Sequence, residues 1–214
     1  VILGVLEGGQ AWGWASPAGI AVLGTGVAAL IAFGFVERTA AEPVLPLWVF
    51  RRRLLVTTGV MSVGIGAILL GLSAYLPVFA QEVLGTGPLV AGAALVTFML
   101  GWPIAASQAG KVYLRYGFRT CALIGSTLVL AGAALFLLLD QDSTVLEVAA
   151  YGAVMGLGMG LTAAPALIAS QSSVGWTERG VVTASSVFLR SVGSSLGIAV
   201  FGSIANTTLA NRFA

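Results

Sequence analysis

Thr183, Ser186, Arg190, Gly193, Ser194 and Gly197 recur at helical spacing within a largely aliphatic run, so they share one face of a helix. A face of small and hydroxyl-bearing residues allows close helix contact. An arginine on it is a candidate gate or substrate-side contact. Leu189, Val192, Leu196 and Val200 line the other side, which suits lipid. An arginine buried in a membrane helix costs ~2.5–3.5 kcal/mol on insertion scales, and it usually faces a cavity or a partner. The alternative is that the run begins later and Arg190 snorkels to the interface.

Other residues extend these possibilities. Tyr75, Phe98, Gln108 and Met155 lie inside apolar runs. With Arg190 and Ser194 they could line an amphiphilic cavity; taken singly, each also fits helix packing or an interfacial anchor. Gly152, Gly156 and Gly160 recur every four residues and make a nearly flat face for a neighbouring helix, whether static or sliding. Pro77, Pro103 and Pro165 fall within runs and can bend them, although proline is tolerated in membrane helices.

What is missing restricts the chemistry further. The chain has no histidine and one cysteine, Cys121, so imidazole bases, an internal disulfide and a thiolate cluster are excluded. No nucleophile stands at a plausible distance from a base, and no metal-ligand cluster is present. We therefore expect no enzyme, no metal and no cofactor. Gly156 to Gly160 is glycine-rich but lies within an apolar run, so it is no phosphate loop. No Asp or Glu lies deep in a run; the nearest is Glu82, beside Gln81.

The elements that must position these residues follow from composition. Of 214 residues, 58% are hydrophobic and only 8% charged, against about a quarter charged in soluble domains. Lipid must cover most of the outside. A crossing needs about 20 mostly apolar residues, and six runs qualify: Ala18 to Val36, Leu54 to Ala80, Leu89 to Gly110, Thr120 to Leu139, Val148 to Ser170 and Val181 to Ala205. The fold class is therefore an all-α polytopic bundle.

Charges orient the runs. Arg38, Arg51, Arg52, Arg53, Lys111, Arg115, Arg119 and Arg179 fall in alternate loops. Glu7, Glu82, Asp140, Asp142 and Glu147 fall in the others, which hold no Lys or Arg; Arg212, past the last run, departs from the pattern. The basic loops should be cytoplasmic, in a plasma or inner membrane. This distribution argues against nucleic acid as a partner despite the net charge of +2. Glu42 to Arg53 is too short to cross, and its tryptophan and three arginines suit the cytoplasmic interface; a solvated connector is the alternative.

Several stretches in order resemble the major facilitator superfamily, in particular its fourteen-span drug/proton antiporter branch. Y-L-P-V-F-A-Q-E-V-L-G (Tyr75 to Gly85) and G-P-L-V-A-G (Gly87 to Gly92) resemble the outer turn after the first helix of the C-terminal half. E-R-G-V-V-T-A-S-S (Glu178 to Ser186) and F-L-R-S-V-G-S-S-L-G-I-A-V-F-G (Phe188 to Gly202) resemble its penultimate helix. W-G-W-A-S-P (Trp12 to Pro17) and E-P-V-L-P-L (Glu42 to Leu47) flank a helix like the second extra central span. In G-K-V-Y-L-R-Y-G-F-R, Gly110, Arg115, Gly117 and Arg119 match the family's cytoplasmic gate motif, while Leu114 replaces its acid.

The resemblance implies residues 1–36 as an outer segment with one central helix, 37–53 as an interfacial linker, and 54–214 as five helices of a C-terminal transporter half. The last helix and the N-terminal half would lie outside the chain. It implies proton-coupled export of small amphiphilic compounds, with lipid, substrate and protons as partners and Arg115 to Arg119 as gate support. The coupling acid would lie elsewhere in the protein. A carrier of the same fold for a siderophore, sugar or lipid, or a non-transporting membrane scaffold, remains the alternative.

Overall fold

The computed structural model describes residues 16–39, 47–140 and 142–213. Residues 1–15 and 40–46, including most of both motifs flanking the first helix, lie outside these, as do the side chains of Arg38 and Arg212. Helices dominate: α1 (Pro17–Thr39), α2 (Arg53–Glu82), a run over Pro88–Phe136, α5 (Val145–Ser172) and α6 (Arg179–Phe213). Among the described residues, five helices are long and apolar enough to cross a membrane.

The run of 49 residues would be about 73 Å long if straight, more than twice the ~30 Å hydrocarbon core. It is not straight. Gly117, with φ 84° and ψ 160°, interrupts it, a backbone that side-chain-bearing residues rarely adopt. The run is therefore two helices, α3 (88–116) and α4 (118–136). The described residues thus hold six long helices, one over each of the six apolar runs.

Local chemistry sets the ends. Thr144 Oγ1 accepts from the Glu147 N–H at 3.3 Å, and Glu147 Oε2 accepts from the Thr144 N–H at 2.7 Å. This capping box starts α5 three residues before its apolar run. Pro88 begins α3, where a missing N–H costs nothing. Between α2 and α3, Gly85 takes φ 64° and Thr86 Oγ1 donates to the Ala80 carbonyl at 2.6 Å. At 30 residues α2 is the longest uninterrupted helix before α3, about 45 Å, so it tilts or extends past the hydrocarbon.

Packing groups the helices into two compact units. One comprises α1, the turn Leu47–Arg51, α2 as far as Gly71, and α6 from Gly180; the other is Leu72–Arg179. This grouping follows helix contact, whereas the partition into 1–36, 37–53 and 54–214 follows linkers and resemblance.

In the Leu72–Arg179 unit, α5 lies between α3 and α4. Gly152 and Gly156 meet Phe98 and Gly101, and Gly160 meets Trp102 and Ala105. The paired numbers rise together, so α3 and α5 are parallel. Met155 meets Gly132, Gly158 meets Val129, and Thr162 meets Gly125. Here the numbers run oppositely, so α4 is antiparallel to α5, and the chain reverses at Gly117. Two cross-helix bonds reach backbone carbonyls: Thr97 Oγ1 to Ala149 at 2.7 Å and Cys121 Sγ to Leu161 at 3.3 Å.

In the other unit, α2 and α6 are parallel. Gly193 abuts the Val63 backbone and Gly197 the Ala67 backbone, while Ser194 Oγ donates to the Gly66 carbonyl at 3.1 Å. Phe33 of α1 stacks on Phe188 of α6 at 5.8 Å. Ile20, Val27, Ile31, Phe35 and Val36 leave most of α1 apolar and exposed, as a lipid-facing helix must be.

Candidate functional site

The small and polar stripe of α6 supplies the contact with α2. Gly193, Ser194 and Gly197 are buried there, while Val187, Val192, Leu196 and Val200 are exposed. Leu189 is the exception on the aliphatic side, because it reaches back to Gly59 of α2. Any side chain on Gly193 would run into the Val63 carbonyl, and a Cβ on Gly197 would lie 2.6 Å from Ala67 Cα. Thr183, Ser186 and Arg190 are half-buried. Arg190 stands eleven residues after the start of α6, about 17 Å along its axis. Its own carbonyl lies against Gly66, so its backbone is fixed at the α2 contact.

The remaining cavity candidates divide by burial. Phe98 is 1% exposed and Met155 4%. Phe98 is sealed between α3 and α5, and Met155 between α4 and α5. Both side chains are taken up by helix packing in this structure. Gln108 is exposed and Tyr75 half-buried. Gly152, Gly156 and Gly160 form the α5 face that receives α3, as their spacing suggests.

Apart from Phe98, which the sequence offered as a cavity candidate, the partners of that glycine face were not singled out from sequence. Ala91, Ala94, Phe98, Gly101, Ala105 and Ala109 are the buried positions of α3. Each step between them is three or four residues, the period of a packed helix seam. That spacing was readable; the matching Gly125 and Gly132 of α4 are too sparse to reveal a pattern.

The Gly110 to Arg119 segment forms the end of α3, the reversal and the start of α4. Gly117 makes the reversal. Tyr113 and Phe118 stack across it with ring centres 4.6 Å apart, and the Arg115 guanidinium lies 5.3 Å from the centre of the Tyr116 ring. These contacts fold a tight, aromatic-lined turn. Arg115 and Arg119 are exposed, and so is Leu114, at 81%.

Helix directions also separate the charges of this unit. Glu82, Asp140, Asp142 and Glu147 gather at the end where α2 leads into α3 and α4 into α5. Leu76, Ala94 and Val148 form a buried cluster at that end, with Phe79, Leu84, Phe136 and Val145 around it. Lys111, Arg115, Arg119 and Arg179 gather at the other end, about 40 Å away along α5. The acid there, Glu178, accepts the Gly175 N–H through its carboxylate at 3.3 Å.

The family model described as Major Facilitator Superfamily matches residues 1–198. Multidrug transporter protein MdtP of Bacillus subtilis is 28% identical over 211 residues, covering 99% of this chain and 39% of that protein. Multidrug resistance protein 3 of the same species is 28% identical over 205 residues, covering 96% of this chain and 40% of its own length. The tetracycline resistance determinant of Streptomyces rimosus is 33% identical over 220 residues, covering all of this chain and 62% of its own. The chain therefore spans less than two thirds of each of these relatives.

Proposed function

The chain belongs to the major facilitator superfamily, and we propose that it forms much of the C-terminal half of a proton-coupled exporter of small amphiphilic compounds. The multidrug and tetracycline-resistance names of its relatives support the substrate class. Alternating access would proceed by rocking of two helical halves about a midplane site. The central observation in favour is the charge segregation about α5. Four basic residues at one end and four acids at the other suit a unit set across a bilayer with Lys111 to Arg119 in the cytoplasm.

In this reading the Gly110 to Arg119 turn supports the cytoplasmic gate. With Leu114 in place of an acid, its arginines are free of an ion pair within the motif itself. Arg190 is the residue of α6 best suited to contact substrate or gate, because its backbone is fixed at α2 while its side chain is half-buried. Protons would be carried by an acid outside this chain.

Cells expressing the intact protein should accumulate severalfold less ethidium than controls, and a protonophore should abolish the difference. Export that survives collapse of the proton gradient would sink the coupling. Arg190→Ala should reduce export at least tenfold without changing the amount of protein in the membrane. Unchanged export would remove Arg190 from the mechanism, and a protein with no export of any amphiphile tested would favour the scaffold reading.

A further inference from the structure

Pro165 is the most enclosed of the prolines in the apolar runs. It is fully buried in α5, whereas Pro77 is half-buried and Pro103 exposed. Having no N–H, Pro165 cannot bond the carbonyl four residues earlier, that of Leu161. Inside a bilayer no bulk water replaces that donor, so a neighbouring helix or side chain must. The side chain that does so belongs to α4. Cys121, 0% exposed, directs its thiol at the Leu161 oxygen with Sγ 3.3 Å away.

We propose that Cys121 is a positioning residue at Pro165, its thiol replacing the donor that proline removes and fastening α5 to α4 at that point. A sulfur donor reaches a hydrogen bond at a longer distance than oxygen does, and a thiol is small and apolar enough to be buried without further partners. The next turns reinforce the fastening. Gly125 of α4 lies against Thr162 and Gly158, and Thr162 Oγ1 donates to the Gly158 carbonyl at 2.8 Å within α5.

The location gives the clasp a mechanical consequence. Cys121 stands four residues beyond Gly117, in the first turn of α4. Movement of the basic reversal therefore bears directly on the carbonyl at which α5 is free to bend. This point of α5 and the reversal shift together, or the thiol bond must break. This coupling rests on the membrane assignment and does not require a particular substrate.

Four forms of the intact protein test it in detergent: Cys121→Ala, Cys121→Ser, Pro165→Ala, and Cys121→Ala combined with Pro165→Ala. Cys121→Ala should lower the unfolding temperature by a few degrees, and Cys121→Ser, which keeps a donor, should restore most of the loss. With alanine at 165 the Leu161 carbonyl regains its helical N–H, so Cys121→Ala should cost less than half as much there. Equal costs in both backgrounds, or serine as damaging as alanine, would overturn the clasp. Should Pro165→Ala not yield folded protein, the infrared S–H stretch decides. In the difference spectrum against Cys121→Ser it should lie at the lower frequency of a bonded thiol, and a free-thiol frequency rejects the proposal. Neither readout needs transport, so failure of the clasp and failure of the exporter reading are separable.

Discussion

Two helix contacts in this chain use the same device and differ in what surrounds it. α6 lays Gly193 and Gly197 on the backbone of α2; α5 lays Gly156 and Gly160 on the backbone of α3, with Gly152 against the Phe98 side chain. Both pairs are parallel, and both rely on close approach, since lipid tails give apolar side chains little reason to leave them. The difference is on the far side. α5 is gripped again by α4 through Met155, Gly158 and Thr162, whereas the far side of α6 is exposed through Val187, Val192, Leu196 and Val200. A helix held on two faces cannot move without unpacking one. A helix held by close backbone contact on one face, with only the Phe33–Phe188 stack on α1 besides, can slide or tilt more readily. Among the described contacts, then, α5 is the more firmly held helix and α6 the less firmly held one, and Arg190 is on the latter.

The sharpest way to break that contrast is to enlarge one glycine in each contact. Gly156→Leu drives a side chain into the Phe98 carbonyl, with Gly101 close behind. Because α4 blocks retreat on the other side, no small shift relieves the clash. Overpacking of ordinary cores costs about 1–3 kcal/mol and occasionally more; here backbone meets backbone on a doubly held helix. We expect loss of nearly all folded protein, measured as the monodisperse fraction after extraction in mild detergent. Recovery near that of the unaltered protein would show that α5 is not fixed.

Gly193→Leu should be milder, although the clash with Val63 is locally as severe. α6 has an open side to move towards. Folded protein should persist at a reduced level, several degrees less stable, with export more impaired than abundance. The contrast fails if Gly193→Leu abolishes folding as completely as Gly156→Leu does.

These effects also show what could be read in the residues alone. The passes were legible, because apolar length and alternating loop charge are both one-dimensional signals. The stripe of α6 and the glycine face of α5 were legible for the same reason, as periodicities. The ends were less so. Hydropathy closes the third run at Gly110 and opens the fourth at Thr120, yet the helix continues through Tyr116 and resumes at Phe118. A helix does not stop where hydrocarbon stops: Lys111 and Arg115 extend outward while their backbone stays helical, and only Gly117 breaks it. Cross-helix partners were least legible. Phe98 and Met155 have the chemistry of a cavity lining, and their enclosure depends on Gly152, Gly156 and Gly132, which lie on other helices. Cys121 likewise acquires a role only beside Leu161.

The smallest expected effect refines the same contrast through hydrogen bonds. Thr97 Oγ1 reaches from α3 to the Ala149 carbonyl of α5, and Ser194 Oγ reaches from α6 to the Gly66 carbonyl of α2. Both acceptors lie within helices, where the N–H four residues later is their ordinary partner, so removing the side-chain donor leaves neither carbonyl bare. Interhelical bonds of this kind average about 0.6 kcal/mol in membrane proteins, and Thr97→Val and Ser194→Ala should each lose about that much. They should differ in function. Thr97 joins helices already locked by glycine contacts, so Thr97→Val should leave export unchanged. Ser194 is flanked by Gly193 and lies one helical turn from Arg190, on the face by which α6 meets α2. Ser194→Ala should therefore alter the export rate about twofold while the amount of folded protein stays the same. Equal responses of the two variants in export would mean that α6 is held as firmly as α5, and that the open side of α6 confers no freedom.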